Sequence, residues 1–247
     1  MPLRFRFSPI PLLATLVLVV LGIALGNWQT RRAEEKTALQ ARLAERGAAP
    51  PLRLGATPPD PAAIEFRRVL VTGSFVADWP VYLDNRPLQG RSGFVLLMPF
   101  KIADADARSP KYVLVARGWL PRDPAAHDRV PAVPAPAGEV TIEGIAVRRP
   151  ARTMQLGTPT PPAPRAIVQN LEPADFARAS GLDLLPLLVE QTGPAPRDGE
   201  GLVRAWPAPA ADVDRHKGYA FQWYALAAMA FVFFVITGFR RGSKQSR

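Results

Sequence analysis

Two long uncharged stretches dominate the pattern of apolar and polar positions along the chain. Residues 8–30 contain no charged side chain, and neither do residues 218–239. A helix rises about 1.5 Å per residue, so about 20 residues span the hydrocarbon core of a bilayer. Both stretches therefore predict transmembrane helices, and Pro9 and Pro11 predict that the first helix begins at Leu12.

The first stretch also has the outline of a signal peptide. Basic residues precede it, and residues 24–26 (Ala-Leu-Gly) form a small-x-small cleavage motif. However, the apolar stretch is long for a signal peptide, and a helical pattern continues from Trp28 to Arg46. We therefore expect a first helix that crosses the membrane and continues beyond it through residues 31–46.

Residues 31–217, between the apolar stretches, combine proline clusters with short β-forming segments. Apolar residues at alternate positions, such as Val113 and Val115, are typical of half-buried strands. A short internal helix is expected between Pro173 and Gly181. The pattern predicts an α+β membrane protein in which two transmembrane helices flank one mostly antiparallel, β-rich domain. The expected strands cover residues 68–75, 81–85, 93–100, 111–120, 139–148, 166–169 and 187–191.

The net charge of +10 is concentrated just outside the apolar stretches. Residues 1–7 and 240–247 carry six basic side chains and no acidic one. Because positive charges favour the cytoplasmic side, we expect both termini in the cytoplasm and residues 31–217 in an extracytoplasmic domain. In a bacterial inner membrane that domain is periplasmic. The other basic residues nearly balance the 21 acidic ones, so the charge indicates membrane orientation and no nucleic-acid binding.

The residue inventory argues against an enzyme. The chain has no cysteine, which excludes disulfides, thiolate metal sites and a cysteine nucleophile. Its two histidines cannot form a three-histidine zinc site alone, and no P-loop, dinucleotide-binding, serine-hydrolase or zinc-protease motif occurs. Asp104 and Asp106 lie in a polar loop, which is typical of solvated carboxylates. A membrane-anchored enzyme is the weaker alternative, and it requires a carboxylate or Ser–Lys pair buried in a pocket.

His216 lies two residues before the second apolar stretch. If the helix extends back to it, Tyr219 and Trp223 share its face, three and seven residues further on. An imidazole over an aromatic face at a membrane surface can serve as an axial ligand to haem iron. The alternative is an interfacial histidine that contacts lipid headgroups. His127, in a proline-rich loop, is expected to be exposed and without a role.

Two glutamines, Gln29 and Gln222, lie within the apolar stretches near their predicted outer ends. A polar side chain inside a membrane is costly unless it has a hydrogen-bond partner. We therefore expect the two glutamines either to hydrogen-bond across the two helices or to reach water at the interface.

Arg117 belongs to the strand-forming segment at residues 111–121. Its guanidinium could hold a carboxylate, such as a haem propionate, and an internal salt bridge at a strand end is the equal alternative. The neighbouring Gly118 allows a backbone or a ligand to approach closely. Trp119 is expected in the core.

Four segments, in order, resemble the Surfeit locus protein 1 family, whose members are assembly factors for cytochrome c oxidase. The most specific is YVLVARGWLP, which resembles the family's Val-x-Arg-Gly-Trp-x-Pro block. One departure is visible, since Asp214 and Arg215 stand where the family commonly has Asn-Asn before the histidine. The four segments are LGNWQTRRAEEK (residues 25–36), the region 68–100, YVLVARGWLP (112–121) and HKGYAFQWYALA (216–227).

The resemblance implies a two-span inner-membrane protein whose outer domain assists insertion of haem a into cytochrome c oxidase subunit I. It implies that His216 ligates haem a transiently, with the ring over Tyr219 and Trp223. The propionates would point toward Arg117 or another outer arginine, and the isoprenoid tail would lie in the bilayer. Haem a synthase is a further implied partner. The alternative is a scaffold that holds oxidase subunits or haem a synthase together without binding haem.

Overall fold

The computed structural model divides the chain into two compact units, residues 1–42 with 207–247 and residues 43–206. The residues that the structure describes are 7–57, 60–104, 108–126, 129–155, 157–193, 201–206 and 213–244, with side chains up to residue 240.

Two long helices, α1 (Pro9–Ala48) and α4 (Val213–Lys244), supply the first unit. Within the described residues, both are long and apolar enough to cross a membrane. α1 begins at Pro9 and not at the expected Leu12, because the first turn of a helix tolerates proline, whose missing amide has no helical partner there. α1 continues without a break past Arg46, the expected end of its extension, to Ala48.

Small residues bring α1 and α4 together. Gly22 and Gly26 of α1 are buried, as are Ala220 and Ala227 of α4. A Cβ atom added at Gly22 would lie 2.9 Å from the Cβ of Ala227 and 3.0 Å from the carbonyl oxygen of Trp223. Gly22 and Gly26 are four residues apart, which is the small-xxx-small spacing that lets membrane helices approach closely.

The second unit is built on a β-barrel of mixed strand direction. Five of the described strands close the barrel in the order β2-β6-β8-β5-β4, and β4 pairs with β2 again. All neighbouring pairs are antiparallel except β5 and β8, which are parallel. These strands are β2 (Arg68–Phe75), β4 (Gly93–Ile102), β5 (Tyr112–Pro121), β6 (Val140–Val147) and β8 (Leu184–Gln191).

Shorter elements extend the barrel at its edges. β1 (Leu52–Arg53) runs parallel to β2, β3 (Val81–Leu83) lies antiparallel to β4, and β7 (Ile167–Val168) runs parallel to β3. α2 (Pro61–Ile64) and α3 (Pro173–Ser180) are the short helices among the described residues of this unit. The predicted fold class is therefore confirmed, with its mostly antiparallel strands and the internal helix α3.

Alternation along β5 separates two apolar clusters of the barrel. Val113 and Val115 belong to a cluster that also contains buried residues of β2 and β8, whereas Leu114 packs in a second cluster with Leu188. Phe176 of α3 is fully buried in that second cluster. Because β5 is covered on both faces, its central residues are nearly all buried. This is why the segment reads as a continuous apolar run.

Sequence reasoning missed β1 and α2, which both lie in or beside the proline cluster of residues 48–61. β1 is only two residues long, and its pairing with β2 is non-local. α2 is a single turn that begins after Asp60, whose carboxylate accepts a hydrogen bond of 3.0 Å from the amide of Ala62. Elements this short leave no periodic signal in the sequence.

Candidate functional site

His216 lies in the first turns of α4, as the sequence predicted. Its Nδ1 atom is 2.7 Å from Oε1 of Gln29 on α1, and the imidazole is half-buried. An amide oxygen only accepts hydrogen bonds, so Nδ1 carries the proton and donates it. In the neutral ring Nε2 then keeps its lone pair, and no described residue hydrogen-bonds to Nε2. The geometry therefore presents one free nitrogen of the imidazole.

Tyr219 and Trp223 follow His216 on the next turns of the continuous helix α4. At 100° per residue, positions three and seven further on lie within about 60° of His216 around the helix axis. Tyr219 is 44% exposed, and Trp223 is half-buried. The predicted set of one imidazole and two aromatic rings thus occupies one face of α4.

Gln29 and Gln222 differ in their surroundings. Gln29 hydrogen-bonds across the two helices, but to His216 and not to Gln222. Gln222 is exposed on α4. A second polar bridge joins the helices eight residues after His216, where the Tyr224 hydroxyl donates a 2.7 Å hydrogen bond to Oδ1 of Asn27. Sequence reasoning did not identify this pair.

A polar pocket of about 410 Å³ lies beside His216 within the same unit. Basic side chains of Arg215 and Lys217 line it on α4, next to Asp214. From α1, Thr37 and Gln40 complete its wall. The pocket contains Asp214 and Arg215, the two residues that depart from the Asn-Asn pattern.

Arg117 belongs to the other unit and is fully buried. It stands at a bulge of β5, between the pairs Leu96–Gly118 and Leu97–Ala116. Its Nη2 donates a 3.0 Å hydrogen bond to the carbonyl of Pro134, and its guanidinium carbon lies 4.8 Å from the ring centre of Phe75. These contacts are internal to the domain. The expected alternative was an internal salt bridge, whereas the acceptor at Nη2 is a backbone carbonyl.

Gly118 and Trp119 have the roles expected of them. Trp119 is 6% exposed, and its indole nitrogen donates a 2.6 Å hydrogen bond to the carbonyl of Arg86. Gly118 has a φ of 154°, and a Cβ atom there would lie 2.9 Å from Leu202. Backbone hydrogen bonds between Trp119 and Val203 hold the later segment against β5 at this point. The glycine therefore serves a close backbone approach.

Arg86 holds several loops of the barrel domain together, a role that sequence reasoning did not identify. Its guanidinium donates to the carbonyls of Asp84, Ala151 and Gln169 and to the hydroxyl of Thr153, at 2.8 to 3.0 Å. Burial lowers the pKa of Arg86, and the Asp84 carboxylate partly opposes that shift. This arginine ties three separate segments of the barrel domain together.

Glu190 is a buried ionisable residue that sequence reasoning did not identify. It lies on β8 opposite Ala116 and Ile145, in a run of apolar residues. Burial raises the pKa of its carboxyl to about 7. No described side chain or amide donates a hydrogen bond to this carboxylate.

The carboxylates considered for catalysis are only partly covered by the structure. Asp104 accepts a 3.2 Å hydrogen bond from the amide of Ala56, whereas Asp106 lies outside the described residues. His127 lies outside them as well. Among the residues that are described, no group of three or more acidic or histidine side chains is placed to hold a metal ion.

Comparison with known proteins gives consistent matches along most of the chain. A sequence model described as the SURF1 family matches residues 16–228. A SURF1-like protein of Monosiga brevicollis is 27% identical over 252 residues, covering 94% of this chain and 89% of the relative. A SURF1-like protein of Rickettsia bellii (strain RML369-C) is 26% identical over 231 residues, covering 91% and 89%. The Saccharomyces cerevisiae protein named cytochrome oxidase assembly protein SHY1 is 31% identical over 111 residues, covering 44% and 28%.

Proposed function

The chain belongs to the SURF1 family, and we propose that it is an assembly factor for cytochrome c oxidase and not an enzyme. In this proposal it assists insertion of haem a into oxidase subunit I by binding haem a transiently. The name of the yeast relative supports the assembly role. The finer step, haem a binding, is supported by the chemistry of the residues around His216.

The observation that carries the proposal is the hydrogen bond between His216 and Gln29. Histidines that bind metals usually donate the second ring N–H to an oxygen acceptor, which fixes the tautomer and the ring orientation. Here Oε1 of Gln29 is that acceptor, and Nε2 is left to face a metal. If haem were bound here, Nε2 of His216 would be the atom that holds it, and the haem would supply the iron.

The surroundings of His216 suit an amphiphilic ring. Tyr219 and Trp223 provide aromatic surface on the same face of α4, and Arg215 and Lys217 line the polar pocket beside it. Arginine and lysine bind carboxylates such as propionates. The prediction that Arg117 holds a propionate remains a prediction, and its burial against Pro134 makes Arg215 the preferred partner in this proposal.

The proposal places this site at the outer surface of a bacterial inner membrane. Helices α1 and α4 would span the bilayer over residues 8–30 and 218–239, with both basic termini in the cytoplasm. The β-barrel domain would then lie in the periplasm, where it meets oxidase subunit I and haem a synthase. Reporter fusions at the two termini and within residues 129–138 test this orientation.

The direct experiment is an absorbance spectrum of the full chain, purified after co-expression with haem a synthesis. We expect a haem a band in the wild type and its loss in His216→Ala. His127→Ala is the matched control, because it removes the other histidine of the chain. A haem band that persists unchanged in His216→Ala would remove His216 from the site.

A scaffold without haem is the second candidate, and one observation favours it. The His216–Gln29 and Tyr224–Asn27 hydrogen bonds both join α1 to α4, so the first bond also has a purely structural use. A scaffold predicts co-purification with oxidase subunits or haem a synthase, and no haem spectrum. A wild-type protein without a haem band that still captures these partners would establish this alternative.

A further inference from the structure

An apolar groove runs between α1 and α4 on the membrane side of His216. It encloses about 600 Å³ and is lined almost entirely by carbon atoms. Gly22, where an added Cβ would lie 2.9 Å from the Cβ of Ala227, is one of its lining residues. Its walls include Leu18 and Gly22 of α1 and Trp223, Leu226, Ala230 and Phe233 of α4.

The groove continues the face of α4 that carries His216. Trp223 lies seven residues after His216, which is two turns along the same face, and it also lines the groove. From Trp223 to Phe233 the helix rises about 15 Å at about 1.5 Å per residue. The groove therefore begins beneath the imidazole and extends away from it over a length that suits a chain of several isoprene units.

The polar pocket lies at the opposite end of the same site. On α1 its lining residues Thr37 and Gln40 lie eight and eleven residues beyond Gln29, the partner of His216. The groove starts at Trp223, on the other side of His216 along α4. Along the paired helices the order is thus a cationic pocket, an imidazole and an apolar groove. A ligand that matches this order has acidic groups at one end, a metal in the middle and an apolar chain at the other end.

We propose that the groove between α1 and α4 binds the isoprenoid tail of haem a. This inference rests on the proposed function, since it assigns a place to one part of the same ligand. A tail attached to a ring held at His216 has a high effective concentration at the groove, which favours it over free lipid chains. The groove thereby distinguishes haem a from haem b, which has no such tail.

Filling the groove tests the assignment. In Ala230→Phe the new ring would enter the groove, because Ala230 is half-buried in its wall. Ala228→Phe is the matched control, because Ala228 is exposed and does not line the groove. Full-length wild type and both variants, in detergent, are titrated with haem a and with haem b while the absorbance is followed. His216→Ala is titrated in the same way.

We expect the wild type to bind haem a more tightly than haem b, by roughly three- to tenfold. The factor is modest because a tail that leaves the groove for detergent or lipid loses packing contacts without entering water. Ala230→Phe should abolish this preference and leave the affinity for haem b unchanged. Ala228→Phe should bind both haems like the wild type.

The outcomes separate the groove from the imidazole. If Ala230→Phe weakens neither haem, or weakens both equally, the assignment of the groove is wrong. That result leaves the proposed function intact as long as His216→Ala weakens both haems. If His216→Ala binds both haems like the wild type, the proposed function itself fails at this site.

Discussion

Replacing Gln29 with leucine tests whether the bond between the two helices prepares His216 for iron. Leucine is apolar and one bond shorter than glutamine, and it removes Oε1, the acceptor that lies 2.7 Å from Nδ1. The imidazole then loses the partner that fixes its tautomer and its orientation. The pairing of the helices should survive, because the Tyr224–Asn27 bond and the contact at Gly22 remain.

Two physical arguments bound the expected loss of affinity. A neutral hydrogen bond contributes about 1 kcal/mol net, which is about fivefold in an equilibrium constant. Loss of a group that orients a metal-bound histidine costs roughly 10- to 100-fold in metal affinity. We therefore expect Gln29→Leu to weaken haem a binding between about fivefold and 100-fold. His216→Ala removes the proposed iron ligand itself and should weaken binding further.

The assay is a titration of the purified full chain with haem a, followed by absorbance in detergent. Gln222→Leu is the control, because it makes the same change at an exposed glutamine of α4. Gln29→Glu retains an oxygen acceptor and should restore binding relative to Gln29→Leu. This rescue distinguishes an effect on the imidazole from a general loss of packing.

Two patterns of results would refute the reasoning. If Gln29→Leu and the wild type bind haem a equally while His216→Ala binds weakly, the hydrogen bond has no part in ligation. Equal weakening by Gln29→Leu and Gln29→Glu would also refute it, because a retained oxygen acceptor would then give no benefit.

Three further predictions concern stability. Gly22→Val should force α1 and α4 apart, because even its Cβ would lie 2.9 Å from the Cβ of Ala227. We expect thermal unfolding in detergent to show a free energy of unfolding that is lower by about 1–3 kcal/mol. Gly218→Val is the control and should change this free energy little, because no described atom lies within 4 Å of an added Cβ. Arg117→Met leaves the Pro134 carbonyl without its donor and should lower the free energy of unfolding by about 1–3 kcal/mol in urea; an unchanged midpoint would contradict this. The carboxyl of Glu190 has a folded-state pKa of about 7, above its ordinary 4.5, so the folded state binds the extra proton and stability falls as pH rises from about 4.5 to about 7. That decline, of about 3 kcal/mol at most, should disappear in Glu190→Gln, as urea unfolding at several pH values will reveal.

The strands were predictable where local pattern and burial agree. β2 occupies the expected residues 68–75, and the observed ends of β4 and β5 lie within two residues of the expected ones. Strand order was not predictable, since the parallel pairing of β5 with β8 joins segments far apart in sequence. Alternation gives each residue a face, but only the closed barrel decides which face is interior.

The site shows the same division between local and distant information. Helical spacing placed His216, Tyr219 and Trp223 on one face, because all three belong to a single helix. The partner of His216 is Gln29, 187 residues away. The sequence marked Gln29 as a polar residue in an apolar run, which signals a need for a partner but does not name one. The sequence singled out Arg117 but did not predict that its side chain is buried. That burial follows from the bulge in β5 and from the covering segment around Pro134.

The division of the site between two helices has a thermodynamic consequence. His216 and Gln29 form one unit only while α1 and α4 are paired, so any ligand that needs this pair also stabilises the pairing. The coupling is reciprocal: a ligand that binds the paired helices tenfold more tightly adds about 1.4 kcal/mol to their association. By the same factor, a partner that separates the helices lowers the affinity for the ligand. A single imidazole held by a neutral hydrogen bond therefore suits a protein that binds its ligand transiently. Contacts with the protein that receives the ligand need to offset only a small free energy to release it.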